Sequence, residues 1–217
     1  MMKRILFLAL ALVALTASAQ TTRSNGLGLN GTMLFHNEND VFSVGVGADY
    51  NWFFGEHVML SAGGGVLYNM MLDENEVIDS QSNVNYKSEK GTLHLTGALG
   101  ITLSQRVWRS NGVYVRGDFV FDLLPFESIG YKKRDFNGNG EETNPSKLVF
   151  TGFSPGVFGE AGVYHDFKKC RMFVGFGYGA YDLFHSYRHH SVHDLPMSYF
   201  APDGDRYYRL TLRLAGL

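Results

Sequence analysis

Cysteine is nearly absent from this 217-residue chain, with Cys170 its single representative, so no internal disulfide can form and the fold must be held by packing and hydrogen bonds. Proline is scarce at five residues, and no stretch reaches the roughly 18 uninterrupted apolar residues that a membrane-spanning helix needs. An excess of basic residues is also lacking. With 19 Lys and Arg against 21 Asp and Glu, the formal net charge is −2, and there is no basic stripe of the kind that recognises nucleic acid. Cys170, beside Lys168, Lys169 and Arg171, has cationic neighbours of the sort that activate a thiol. Its place in an Asp166–Cys170 connection reads more simply as an unpaired turn residue.

What the chain does have starts at the N-terminus. Lys3 and Arg4 precede an apolar run from Ile5 to Leu15, and Ala17-Ser18-Ala19 follows, which is the pattern of a cleavable secretory signal peptide over residues 1–19. Cleavage after Ala19 leaves about 198 residues beginning at Gln20, enough for one domain, 20–217. Losing Lys3 and Arg4 lowers the basic count from 19 to 17 against 21 acids and leaves a net charge of about −4. Glycine (26), Phe (17) and Tyr (12) are abundant, which suits sheet better than helix bundles.

Period-two alternation recurs along the chain and marks strands with two unlike faces. Phe42, Val44, Val46, Ala48, Tyr50 and Trp52 oppose Ser43, Gly45, Gly47, Asp49 and Asn51. Val58, Leu60, Ala62, Val66, Tyr68 and Met70 oppose His57, Ser61, Gly63, Gly65 and Asn69. The same division separates Leu93, Leu95, Leu99, Ile101 and Leu103 from Thr92, His94, Thr96, Ala98, Gly100 and Thr102, and Val113, Val115, Phe119, Phe121 and Leu123 from Arg116, Asp118 and Asp122. Met172, Val174, Phe176 and Tyr178 face away from Gly175, Gly177 and Gly179; Tyr208, Leu210, Leu212 and Leu214 face away from Arg209, Thr211 and Arg213. A first strand near 26–35 and a sixth near 147–165 bring the count to eight. Pro155 interrupts the ladder of the sixth and predicts a bulge or a strand running beyond the membrane. Connections at 54–57, 104–111 and 166–170 are short, those at 72–88, 125–146 and 187–205 long and polar, and 36–40 breaks the rhythm. The expected fold is all-β, an eight-stranded antiparallel up-and-down transmembrane β-barrel with short turns at one end and long loops at the other.

Which face is inside follows from polarity. Asp49, Arg116, Asp118, Asp122, Glu160, Arg209 and Arg213 share one parity, four acids against three arginines, and predict an interior network of paired charges in a narrow glycine-rich lumen. The opposite faces, almost wholly aliphatic and aromatic, would form an aggregation-prone patch in water and suit lipid. Trp52, Phe53 and Trp108 at one end, and Tyr68, Phe121, Phe126, Tyr207 and Tyr208 at the other, read as interfacial girdles. A secreted lipocalin-like binding barrel, with its apolar face lining a ligand cavity, is the inverse alternative.

The signal peptide, the alternating strands and the short-turn, long-loop rhythm resemble the small outer-membrane β-barrel proteins of the OmpA/OmpX type, particularly the Gly-rich versions common in Bacteroidota. Where that family usually carries a terminal aromatic read by the barrel-assembly machinery, this chain has Gly216-Leu217. The resemblance implies a monomer of the bacterial outer membrane in contact with lipid and lipopolysaccharide. It further implies assembly by that machinery and a structural or surface-interacting role, through loops 72–88, 125–146 and 187–205. A lipid A-modifying enzyme and a narrow pore remain alternatives.

Three constellations could carry chemistry. Asp135, Asn137, Asn139 and Gly140, with Glu141 and Glu142, have the spacing of the first half of a calcium-binding EF-hand loop, but Ser146 stands where the bidentate Glu belongs. Apart from that weak calcium candidate no cofactor is expected. His185, His189, His190 and His193 could converge on a transition metal if their loop were helical. A hydrolytic site would need a nucleophile with a base, for which His185-Ser186, or Ser191 with His193 and Asp194, supply the residue types; on a strand, His185 and Ser186 would point to opposite faces.

Overall fold

The computed structural model describes residues 24–36, 41–71, 76–79, 84–87, 92–124, 126–130, 132–135, 142–143, 146–150, 152–192, 195–201 and 204–217. The expected signal segment 1–19 lies outside them.

The strands in chain order are β1 (Gly26–His36), β2 (Val41–Phe54), β3 (Val58–Met71), β4 (Glu76–Asp79), β5 (Val84–Lys87), β6 (Thr92–Trp108), β7 (Asn111–Asp122) and β8 (Phe126–Gly130). They continue with β9 (Lys132–Asp135), β10 (Glu142–Thr143), β11 (Ser146–Phe150), β12 (Pro155–Asp166), β13 (Arg171–Tyr181), β14 (Ser191–Val192), β15 (Leu195–Pro196) and β16 (Arg206–Ala215). Eight of them close a barrel in the order β1-β16-β13-β12-β7-β6-β3-β2, so that every barrel strand is antiparallel to its neighbours. Closure runs from Gly28 opposite Ala215 to His36 opposite Tyr207, which leaves no free sheet edge. The barrel strands are 10 to 17 residues long, at or above the roughly 9–11 that a tilted strand needs to cross a hydrocarbon core.

The outer and inner surfaces have opposite chemistry. Val46 is 71% exposed, Leu93 63% and Leu99 53%, and Leu29, Val115, Phe176 and Leu212 are likewise exposed on the outside. Ser43, Asn69, Thr102, Arg116, Asp118, Glu160, Arg209 and Arg213 are buried on the inside. This is period-two geometry on a closed sheet: residues i and i+2 share a face, so each strand sends one alternate set inward and the other outward.

Beyond one end of the barrel the long connections fold on themselves. A four-stranded sheet ordered β10-β9-β5-β4 joins the connection after β3 to that after β7, and β8 pairs with β11. The connection after β13 holds a short helix, His185–His189, and a 3-10 turn, Met197–Phe200. Leu183, Phe184, Tyr187, Met197 and Phe200 are fully buried and pack with Leu34, Leu67, Phe158, Tyr181 and Tyr207 into an apolar plug in that mouth. Tyr187, Met197 and Phe200, within the 187–205 segment that reads from sequence as a polar loop, are therefore buried in this plug.

Four further expectations are corrected. The sixth barrel strand does not start near Lys147: Ser146–Phe150 pairs with β8, and β12 begins at Pro155, the strand position that tolerates a missing N–H. Among the described residues β12 keeps continuous register with β7 and β13, and the register shift falls between Arg106 and Trp108 instead. The 104–111 connection shrinks to Arg109-Ser110, because β6 continues to Trp108. Finally, Phe53 and Tyr207 are not girdle residues; they are 5% and 0% exposed and pack inside the barrel. Trp52, Trp108, Tyr68 and Tyr208 do face outward, and the Phe126 side chain lies outside the description.

Candidate functional site

The barrel interior is layered beneath the plug. Register aligns Arg116 with Thr102 on β6 and Glu160 on β12, and then Glu160 with Gly177 and Gly177 with Arg209. Asp118, two residues from Arg116, faces the same way. The result is a cluster of five buried charges. Arg116 Nε donates to Asp118 Oδ1 at 2.7 Å, its Nη1 to Thr102 Oγ1 at 2.9 Å and its Nη2 to Ser61 Oγ at 2.6 Å. Arg209 Nη2 bridges Asp118 Oδ2 at 2.6 Å and Glu160 Oε2 at 2.8 Å, and Arg213 Nη2 approaches the same oxygens at 3.1 and 3.6 Å. Tyr114 donates its hydroxyl to Glu160 Oε1 at 2.6 Å, and the Arg209 guanidinium lies over the Phe158 ring, 4.6 Å from its centroid. Asp118 thereby accepts hydrogen bonds from all three arginines, whereas Glu160 accepts one from Tyr114 and is otherwise held by ion pairing with Arg209 and Arg213. Such pairing is the condition for tolerating buried charge.

Two of the seven residues expected in this network stand apart. Asp49 accepts from Asn51 Nδ2 at 2.8 Å and Asn30 Nδ2 at 3.5 Å. Asp122 accepts from Tyr181 OH at 2.5 Å and lies 3.4 Å from His94 Nδ1. Parity placed them on the right face but carries no information about height along the barrel. Asp49 still lines the cavity of about 90 Å3 that Arg116, Arg209 and Arg213 border, a volume that accommodates several waters. Tyr114, Tyr181, Ser61 and Thr102, which complete these networks, were not singled out from the sequence. Their shared parity with the charges was the available signal.

Glycines make room for the cluster. A Cβ on Gly100 would strike Arg116 Nη2 and Asp118 Oδ1, and one on Gly175 would strike the Tyr114 hydroxyl and Glu160 Oε1. Gly175→Ala is therefore expected to displace Tyr114 from Glu160 and to destabilise the barrel by about 1–3 kcal/mol, the usual cost of overpacking, read by denaturant unfolding of the detergent-folded protein.

The short-turn end is also filled. Phe53, Met59, Tyr114, Tyr164, Phe173 and Ala215 form a second apolar cluster. Buried Arg171 pairs with Asp166 at 2.6 Å, donates to Ser104 Oγ at 2.9 Å and stacks 4.0 Å over Tyr164. From sequence Arg171 stands out only as a neighbour of Cys170, which is partly exposed.

The remaining candidates are only partly described. Asp135 belongs to β9, while Asn137, Asn139 and Glu141 lie outside the described residues, as do His193 and Asp194. His185 and Ser186 sit on a helix rather than a strand, and Ser186 is 0% exposed, with no access for a substrate. Among the described residues no group of three or more metal-ligating side chains converges, and no helix is long and apolar enough to cross a membrane.

No protein-family model and no curated protein matches the sequence. Among solved structures, the chain is similar to the N-terminal β-barrel domain of Pseudomonas aeruginosa OprF, with 10% identity over 88% of this chain and 98% of that one and a TM-score of 0.36. It is also similar to Neisserial surface protein A, NspA, with 10% identity, 88% and 94% coverage and a TM-score of 0.38. A de novo designed transmembrane β-barrel aligns with 13% identity, 91% and 98% coverage and a TM-score of 0.34. The class of the molecule is defined by its own geometry: a closed eight-stranded antiparallel barrel with charges inside and an apolar wall outside.

Proposed function

We propose that this chain is an integral protein of the bacterial outer membrane, exported by a signal peptide over residues 1–19. Its role is structural or surface-interacting, exercised through the connections at 72–88, 125–146 and 187–205. One observation carries the reading: the closed barrel turns its apolar side chains outward and buries Arg116, Asp118, Glu160, Arg209 and Arg213 within. In water that arrangement exposes far more contiguous apolar surface than a soluble monomer tolerates, whereas in lipid it needs no cover. A lipocalin-like barrel would be apolar within, which the interior charges oppose. The plug and the charge cluster argue against a wide solute channel, since eight strands leave a lumen that side chains fill.

On this reading the barrel contacts lipid and lipopolysaccharide, is inserted by the barrel-assembly machinery and works as a monomer of the OmpA/OmpX type. Membrane fractionation with heat-dependent gel migration tests it. The folded protein is expected in the outer-membrane fraction, migrating faster unheated than boiled. A soluble periplasmic product would contradict the reading.

A further inference from the structure

The geometry points to a surface site for a divalent transition metal such as Zn2+ or Cu2+, with His185 and His189 as its two protein ligands. We propose this site independently of the membrane reading. The two residues stand one turn apart on the helix His185–His189, and side chains at i and i+4 share a helix face. Their rings are adjacent and tilted, with centroids 4.1 Å apart and planes inclined by 30°.

The tautomers favour binding. His185 Nδ1 lies 3.0 Å from Asp182 Oδ2, and His189 Nδ1 lies 2.8 Å from the backbone oxygen of His185. A carboxylate and a carbonyl only accept, so in the neutral form of each ring Nδ1 carries the proton and Nε2 keeps its lone pair. Donation of the second ring N–H to a carboxylate or a carbonyl is how metal-bound histidines are held in orientation. Two adjacent nitrogen ligands with bonds of about 2.0–2.1 Å stand about 3 Å apart, a spacing within reach of rings whose centroids lie 4.1 Å apart.

The platform is fixed. On the helix's other face Tyr187, next to Leu183 and Phe184, is sunk in the apolar plug. Arg188 clamps both Asp182 and the backbone oxygen of Gly204. His189 is exposed and His185 partly so, leaving the remaining coordination positions to water or an incoming ligand. Asp182 is committed to His185 and Arg188 and orients without ligating. His190 follows the helix where the backbone turns extended and directs Nδ1 to Ser186 O at 2.9 Å, so it lies off the shared face. Imidazole donors select Zn2+ and Cu2+ over Mg2+ or Ca2+.

The test is calorimetric titration of the full-length, detergent-folded protein with Zn2+, together with electron paramagnetic resonance of the Cu2+-loaded form. One Zn2+ per chain is expected. H189Q should weaken it by at least about ten-fold, as loss of one of two anchoring ligands implies, and H190Q should leave it unchanged. The Cu2+ spectrum should show two coupled nitrogens that fall to one in H189Q. Unboiled fast migration of H189Q in gels establishes that the variant is folded. Equal Zn2+ affinity in wild type and H189Q, a loss in H190Q matching that in H189Q, or no binding heat at all would overturn the assignment.

Discussion

Asp118→Ala is expected to destabilise the barrel by about 3–5 kcal/mol, the penalty for removing one partner of a buried ion network. Asp118 meets Arg116, Arg209 and Arg213 through its two oxygens, and Glu160 alone cannot satisfy three guanidinium groups in that space. Asp118→Asn keeps the shape and one acceptor oxygen and should lose less, though it still strips the charge. Asp49→Asn, where the partners are the neutral Asn30 and Asn51, should cost under about 1.5 kcal/mol, the scale of an ordinary hydrogen bond. Urea unfolding followed by tryptophan fluorescence in micelles ranks the three, and equal midpoints for Asp118→Ala and Asp49→Asn would contradict the assigned network.

The second large effect concerns the outer wall. Leu99 lies mid-strand on β6, between Ala62 of β3 and Phe119 of β7, and is 53% exposed. In a bilayer, Leu99→Arg is expected to cost about 2–4 kcal/mol, because a guanidinium near the midplane must leave water or drag water inward. For a soluble barrel the same change would be close to neutral, since substitutions at exposed positions usually fall within about 0.5 kcal/mol. Refolding yield into lipid vesicles and the unfolding midpoint there read the difference.

The barrel was legible because alternation is a local property: each of β2, β3, β6, β7, β13 and β16 declares its two faces in its own residues. The charged interior was legible to the same extent, since parity assigns Arg116, Asp118, Glu160, Arg209 and Arg213 to one side. Height along the barrel is set by register between strands, a non-local quantity, and that is why Asp49 and Asp122 were grouped with arginines they do not touch. Parity also separates Phe53 from Trp52 and Tyr207 from Tyr208, so the two residues misplaced in the girdles could have been caught by applying it strictly.

The plug was missed for a different reason. Leu183, Phe184 and Tyr187 have helical spacing, and Met197 and Phe200 repeat an apolar pair three residues apart, but both lie within a segment that also carries histidines, serines and charges. Average polarity concealed two short amphipathic turns. Their partners, Leu34, Leu67 and Phe158, sit on distant strands, so only the closed barrel shows where those apolar residues go.

The inside-out arrangement is tested most directly by the two tryptophans, Trp52 and Trp108, which face outward at the short-turn end, 38% and 64% exposed. In vesicles of lipid brominated near the headgroup, the fluorescence of the reconstituted protein is expected to be strongly quenched, and bromines placed deep in the acyl chains should quench it less. Emission indifferent to brominated lipid but quenched by iodide in the aqueous phase would contradict a barrel whose apolar wall faces the membrane.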